Sequence, residues 1–193
     1  MNIRTSEDSP IRIDFIQSAE FPKLNRLGVT FAPGKKQPNP LSGPAWDRDL
    51  VTDLVRMRDH YGIDVLLSLI EDRELEELQI PDLVEQAEKV GIRVIRFPIA
   101  DMSVPEDLGA FAAVVRDVLD ELDSGKHVAV HCKGGLGRAG TAAACTSIIA
   151  SDLMLGIDEA MELVRKTRKG AIENEMQESF VADFQSLLKR WND

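Results

Sequence analysis

Residues 131–141 read H-C-K-G-G-L-G-R-A-G-T, bringing a thiol, a guanidinium and four of the chain's 13 glycines together. The segment leaves the apolar run His127–Val130 and enters a stretch of helical character. A Gly-rich turn at such a junction points successive backbone N–H groups inward, and the helix N-terminus behind it adds positive potential. Cys132 stands at the mouth of this turn and Arg138 closes it. A free thiol, with a pKa of ~8.5, is only about 3% thiolate at pH 7. A ring of N–H dipoles beside a guanidinium favours the ionised form. Arg138 also offers a planar fork for two phosphate oxygens. The pattern points to nucleophilic attack on phosphorus by Cys132. Arg138 would bind the phosphate, and Lys133, Gly134, Gly135, Leu136 and Gly137 would form its cradle. His131 is expected to orient the cradle backbone.

The spacing matches the H-C-x5-R signature of cysteine phosphatases, whose chemistry needs an acid for the leaving oxygen. Asp101, in F-P-I-A-D-M-S-V-P, follows a strand expected to run parallel to the one feeding the cradle. Both strand ends should then open on the same sheet edge, where ligands collect in parallel sheets. The competing reading makes Asp101 a turn or cap residue beside Ser103; Asp107 and Asp72 are weaker candidates for the acid. Cys145 lies seven residues beyond Arg138 in an apolar helix, ~10 Å along its axis, and reads as packing. His60 and His127 are assigned no role. Lys133 could aid an anionic substrate or simply be solvated. Lys35 and Lys36 read as a solvated loop tip.

The elements that must hold these residues follow from hydrophobic periodicity. Residues 1–10 are polar and expected to be loose. Ile11–Ile16 alternates as an edge strand would, and Leu27–Ala32 reads as a strand. Pro33–Ala45 is a long Pro-rich loop, a candidate rim of a site. A helix is expected over Trp46–Tyr61, a buried strand over Asp64–Ile70, a short helix after Pro81 and a strand over Ile92–Phe97. Ser103 and Glu106 form a capping-box pair ahead of a helix carrying Leu108, Phe111, Ala112, Val115, Val118, Leu119 and Leu122. Three helices follow His127–Val130, at about 137–153, 157–168 and 174–191. The fold class is therefore α/β, a largely parallel central sheet flanked by helices.

At 193 residues the chain fits one domain, 1–193, better than two. Lys and Arg number 23 against 33 Asp and Glu, a net charge of −10. Nothing global attracts nucleic acid or an anionic membrane. The longest run free of charge, Ala139–Ser151, is 13 residues, too short to cross a bilayer. The N-terminus shows no secretory pattern, and two cysteines make no disulfide framework, so a cytoplasmic location is expected. No metal or other cofactor is implied, and the oligomeric state is left open.

Over about residues 24–190 the sequence resembles the dual-specificity protein phosphatases, most closely the kinase-associated phosphatase group. The matching pieces are L-G-V-T-F-A-P-G-K-K, I-P-D-L-V-E-Q-A-E-K-V-G-I, F-P-I-A-D, H-C-K-G-G-L-G-R and G-A-I-E-N-E-M-Q. The resemblance implies the dual-specificity phosphatase fold, with Cys132 as nucleophile, Arg138 as phosphate binder and Asp101 as acid. It also implies that Gln177 helps position water, with Glu173 a weaker candidate and a solvated helix position the competing reading. The implied substrates are phosphotyrosine, phosphoserine or phosphothreonine of proteins. A small phosphomonoester such as an inositol phosphate or nucleotide, a phosphate-binding module with slow turnover and a rhodanese-type sulfurtransferase are the alternatives. One position departs from the family. Ala139 stands where a Ser or Thr usually follows the arginine, which puts fast breakdown of a phosphoenzyme in doubt. Thr141 either substitutes in part or bonds a carbonyl one turn back.

Overall fold

The computed structural model describes residues 3–40 and 43–192. Five strands form the main sheet: β2 (Asp14–Phe15), β3 (Leu27–Phe31), β6 (Ile63–Ser68), β7 (Arg93–Arg96) and β8 (His127–Cys132). Their order is β2-β3-β8-β6-β7, and every pairing is parallel except β2 with β3. The largely parallel α/β sheet expected from the sequence is present. Its central strand β8 is V-A-V between His127 and His131, buried on both faces as a middle parallel strand must be.

The helices are α1 (Leu50–Asp59), α2 (Asp72–Glu77), α3 (Leu83–Lys89), α4 (Leu108–Asp123), α5 (Gly137–Ala150), α6 (Ile157–Thr167) and α7 (Glu175–Asn192). A 3-10 turn, Pro22–Arg26, leads into β3. Helix α5 is buried on nearly all sides, as its small apolar composition requires, because α4, α6 and α7 pack around it. Phe111 of α4 stacks edge-on with Phe180 and Phe184 of α7.

Several expectations shift. The edge strand expected over Ile11–Ile16 pairs only at Asp14–Phe15, although Ile11, Ile13 and Ile16 are buried. Trp46 belongs to a strand and not to the first helix. A small second sheet joins β1 (Ile3–Arg4), β5 (Ala45–Asp47) and β4 (Lys36–Gln37) in the order β1-β5-β4. It holds part of the segment expected to be a loop. Residues 3–10 are also tied down: the buried Arg48 guanidinium donates to the carbonyls of Thr5 and Ser9. Helix α4 starts one turn later than the Ser103–Glu106 pair suggests. Asp107 is its N-cap and accepts from the Ala110 N–H at 2.9 Å.

Candidate active site

Cys132 ends β8 at the carboxyl edge of the sheet, in register with Phe31 of β3. The chain turns there through Lys133–Leu136 and enters α5 at Gly137. The turn is closed by the cysteine itself: the Gly135 N–H points at Cys132 Sγ at 3.2 Å. Only a glycine fits this position. Its φ is +69°, and a Cβ would lie 2.3 Å from the Thr30 carbonyl oxygen.

Two cradle carbonyls are held outward by one side chain. Arg168, just past α6, donates from Nε to the Gly135 carbonyl at 2.5 Å and from Nη2 to the Gly134 carbonyl at 3.2 Å. A trans peptide carries its N–H opposite its C=O. Holding those oxygens outside therefore aims the N–H groups of Gly135 and Leu136 inside. Arg168 is anchored in turn by Asp14 of β2, at 2.6 Å. Helix α5 has no side-chain N-cap, so its first N–H groups face the cradle, where an anion is favoured.

Arg138, in the first turn of α5, is buried, and both of its terminal nitrogens are engaged. Glu74 of α2 receives Nη1 at 2.6 Å and Nη2 at 2.8 Å, the Ile99 carbonyl receives Nη1 at 2.8 Å, and Asp101 receives Nη2 at 2.8 Å. Burial opposes the arginine's charge, but Glu74 and the other anions around it outweigh that and hold it protonated. Burial likewise pushes the Glu74 carboxyl upward, and the bonds from Arg138 and the Glu71 N–H overcome it, leaving Glu74 below the usual carboxylate range. Glu74 was not singled out in the sequence. The available signal was E-x-x-E straight after a buried strand, which is a capping box at the sheet's carboxyl edge.

Asp101 lies on the loop after β7, and its side chain is 46% exposed. It also accepts from the Met102 N–H, and Met102 adopts φ +62°, a left-handed conformation that strains a non-glycine residue. That loop is latched from the C-terminal side. Asn174 donates to the Met102 carbonyl at 2.9 Å and Gln177 reaches the Ser103 carbonyl at 3.4 Å. Gln177 is buried and not a solvated helix residue, and its amide lies against Gly137, as does the Glu173 carboxylate. The rival acids lie elsewhere: Asp107 caps α4 and Asp72 pairs with Arg96.

His131 is buried, with Nδ1 3.4 Å from the Cys132 carbonyl, and burial pushes its pKa down to about 4. Thr141 donates to the Gly137 carbonyl at 3.0 Å, the bond one turn back. Cys145 is buried and free, its thiol pushed well up by burial. Lys133 is half-buried. Lys35 is not a solvated loop tip: it is 5% exposed, and its ammonium donates to the Lys133 carbonyl at 3.3 Å.

A thiol inside a backbone anion cradle, closed by a buried arginine and faced by an exposed carboxylate, is an arrangement for phosphate. The family model described as "Swiss Army Knife protein, DSP-PTPase phosphatase domain" matches residues 45–181. The chain belongs to this phosphatase family. It is a cysteine-dependent phosphatase of the protein-tyrosine/dual-specificity type. Human cyclin-dependent kinase inhibitor 3 is 26% identical over 183 residues, covering 94% of this chain and 82% of that protein. A crystal structure of kinase associated phosphatase, with serine replacing its catalytic site cysteine, superposes with a TM-score of 0.81 at 24% identity. That match covers 94% of this chain and 97% of the other. PTPMT1 in complex with PI(5)P gives a TM-score of 0.69 at 20% identity, covering 86% and 94%. Among the described residues, no helix is long and apolar enough to cross a membrane.

Proposed function

We propose that this phosphatase acts on singly phosphorylated side chains of proteins, through a cysteinyl-phosphate intermediate on Cys132. Arg138 and the N–H groups of the 133–138 turn hold the phosphate oxygens, and the Cys132 thiolate attacks phosphorus in line. The phosphorus–oxygen bond to the leaving group breaks as Asp101 gives that oxygen a proton. Water then attacks the cysteinyl phosphate with Asp101 as base and Gln177 orienting it. Inorganic phosphate leaves and the thiolate returns.

The observation that carries the substrate class is how few cations are free around the cradle. Arg138 is held by Glu74 and Asp101, Arg168 by Asp14 and two carbonyls, and Lys35 is buried. Among the cradle residues Lys133 is the cation left for a second anionic group, while Asp101, Met102 and Glu173 are exposed beside the cradle. A polyanion would meet an acidic, partly apolar rim. A lone phosphate on a polypeptide with basic or apolar neighbours would not. A thiolate nucleophile and two free cysteines also favour a reducing compartment such as the cytoplasm.

The test compares kcat/KM on phosphopeptides and on inositol polyphosphates, with Cys132→Ser and Asp101→Ala used to trap bound substrate. Phosphopeptides should be favoured at least tenfold, and Cys132→Ser should abolish turnover. A preference for inositol polyphosphates would overturn the substrate class. Retained turnover in Cys132→Ser would overturn the nucleophile.

A further inference from the structure

Lys35 is a buried ammonium with no carboxylate partner. It belongs to the turn between β3 and β4, and its Nζ lies 4.2 Å from the ring centroid of Trp46 and 4.9 Å from that of Phe31. Its one hydrogen bond goes to the Lys133 carbonyl, the first peptide of the cradle. No ion pair among the described residues includes it. The contrast with Arg48 is direct. Arg48 is just as buried and shares the same two rings, but it grips Asp53 with two bonds, at 2.8 and 2.7 Å. Burying a charge without a counter-ion is costly, and two aromatic faces offset that only in part.

The remaining anionic neighbour is Cys132. The ladder sets the Lys35 cage behind the nucleophile, because Phe31, one wall of the cage, is the register partner of Cys132. The charged groups around the ammonium are Cys132, Arg48 with its Asp53, Arg168 with its Asp14, and Lys133. Both arginines are neutralised by their own carboxylates and Lys133 is cationic. Among these described groups, the one left to give Lys35 an unneutralised negative charge is the Cys132 sulfur in its nucleophilic, thiolate form.

We propose that Lys35 is a positioning residue for this phosphatase: a cation set behind the cradle that stabilises the Cys132 thiolate and fixes the Lys133 peptide. The proposal rests on Cys132 being the nucleophile. The energetics are consistent with it. Burial pulls Lys35 down to about 8, and the attraction of Cys132 opposes that fall. Lys35 therefore stays protonated at neutral pH and begins to lose its charge just above it.

Coupling between two titrating groups is reciprocal, so each can be read from the other. The first measurement is the pH profile of iodoacetamide alkylation of Cys132. In Lys35→Met, which keeps the length and removes the charge, its midpoint should rise by about one unit, a roughly tenfold loss of alkylation rate on the acid side. The second leaves Lys35 in place. In 13C-lysine-labelled protein, the NMR titration midpoint of Lys35 should fall in Cys132→Ser by the amount the alkylation midpoint rises in Lys35→Met. The second holds even where Lys35→Met folds poorly. An unchanged alkylation midpoint in folded Lys35→Met, or a Lys35 titration indifferent to Cys132→Ser, would reduce the lysine to packing and overturn the proposal. Neither outcome bears on the nucleophile, which turnover in Cys132→Ser tests separately.

Discussion

Asp101 Oδ1 sits 2.8 Å from Arg138 Nη2, so in this structure the carboxylate proposed as acid occupies the edge of the fork proposed to bind phosphate. The same Nη2, together with Nη1, is also held by Glu74, whose side chain is 2% exposed against 46% for Asp101. The two carboxylates have different standing. Glu74 is a fixed strut, because a buried ion pair broken on one side costs about 3–5 kcal/mol. Asp101 is reached by solvent and its bond to Arg138 is easily exchanged for one to a substrate oxygen.

That exchange makes the consequence of Asp101→Asn two-sided. Phosphate and vanadate should bind several-fold more tightly, because an anion no longer competes for Nη2. The rate should fall about 10²–10⁴-fold on phosphotyrosine, whose leaving group needs the proton, and less on p-nitrophenyl phosphate. The falling limb of the pH–rate profile should vanish. Unchanged vanadate affinity would mean that the Asp101–Arg138 contact is not a competitor of the substrate.

Gly135→Ala should cost more than its size suggests. The added methyl meets the Thr30 carbonyl in a left-handed conformation, and the peptide must turn to escape. Arg168→Gln attacks the same geometry from outside by releasing the Gly134 and Gly135 carbonyls. Both variants should weaken phosphate binding at least tenfold in equilibrium titrations. Arg168→Gln should do so with a smaller loss of melting temperature than of affinity, since its largely buried partner Asp14 retains Arg12 as a counter-charge. A melting temperature that falls in step with affinity would make Arg168 a fold determinant.

Much of this site could be read from the chain, and the missing parts share one cause. H-C-K-G-G-L-G-R at a strand-to-helix junction determines its own local geometry, so Cys132, Arg138 and the cradle glycines are legible without tertiary information. The same holds for the apolar strands and for α5. Glu74 lies in the acidic run E-D-R-E-L-E-E, and only a partner 64 residues away separates it from its neighbours. Arg168 is one of four cations between 165 and 169. Lys35 looked solvated because flanking prolines and glycines mark a loop, and nothing in those residues reports that Trp46 and Phe31 close over it. Ser103 lost the helix cap to Asp107 because the carbonyls of Met102 and Ser103 are bound to Asn174 and Gln177 instead. Long-range charge pairs and cages leave no periodicity to detect.

His131 sets an acid limit on stability. Burial holds its pKa at about 4 in the folded chain, against about 6.5 unfolded. Between those values the unfolded chain binds the extra proton, so its contribution is complete above pH 6.5 and lost as pH falls toward 4. The full loss is about 3 kcal/mol. Glu74 acts in a lower window: its folded pKa is depressed, so its contribution is lost only as pH falls below about 4.5. Urea unfolding at pH 7, 6, 5 and 4.5 should show stability declining, and His131→Gln should flatten that slope while lowering stability throughout. An equal slope in the variant would place the titrating group elsewhere.

Ala139 should slow the breakdown of the cysteinyl phosphate. In the family this position usually carries a hydroxyl that bonds the departing thiolate. Here it carries a buried methyl, and the nearest substitute in sequence, Thr141, gives its proton to the Gly137 carbonyl. A hydrogen bond to a charged group is worth about 1.5–3 kcal/mol, which is roughly 10- to 150-fold in rate. The loss should fall on the step that regenerates the thiolate, while formation of the cysteinyl phosphate consumes it and is little affected. Rapid-quench kinetics should therefore show a burst of phosphate transfer followed by slower turnover. Ala139→Ser should speed the second phase and leave the first nearly unchanged. Thr141→Val should not alter breakdown, because its hydroxyl is already committed to the helix. Should Thr141→Val slow breakdown tenfold while Ala139→Ser does nothing, Thr141 would be the thiolate's partner and its bond to Gly137 would have to be given up during the reaction.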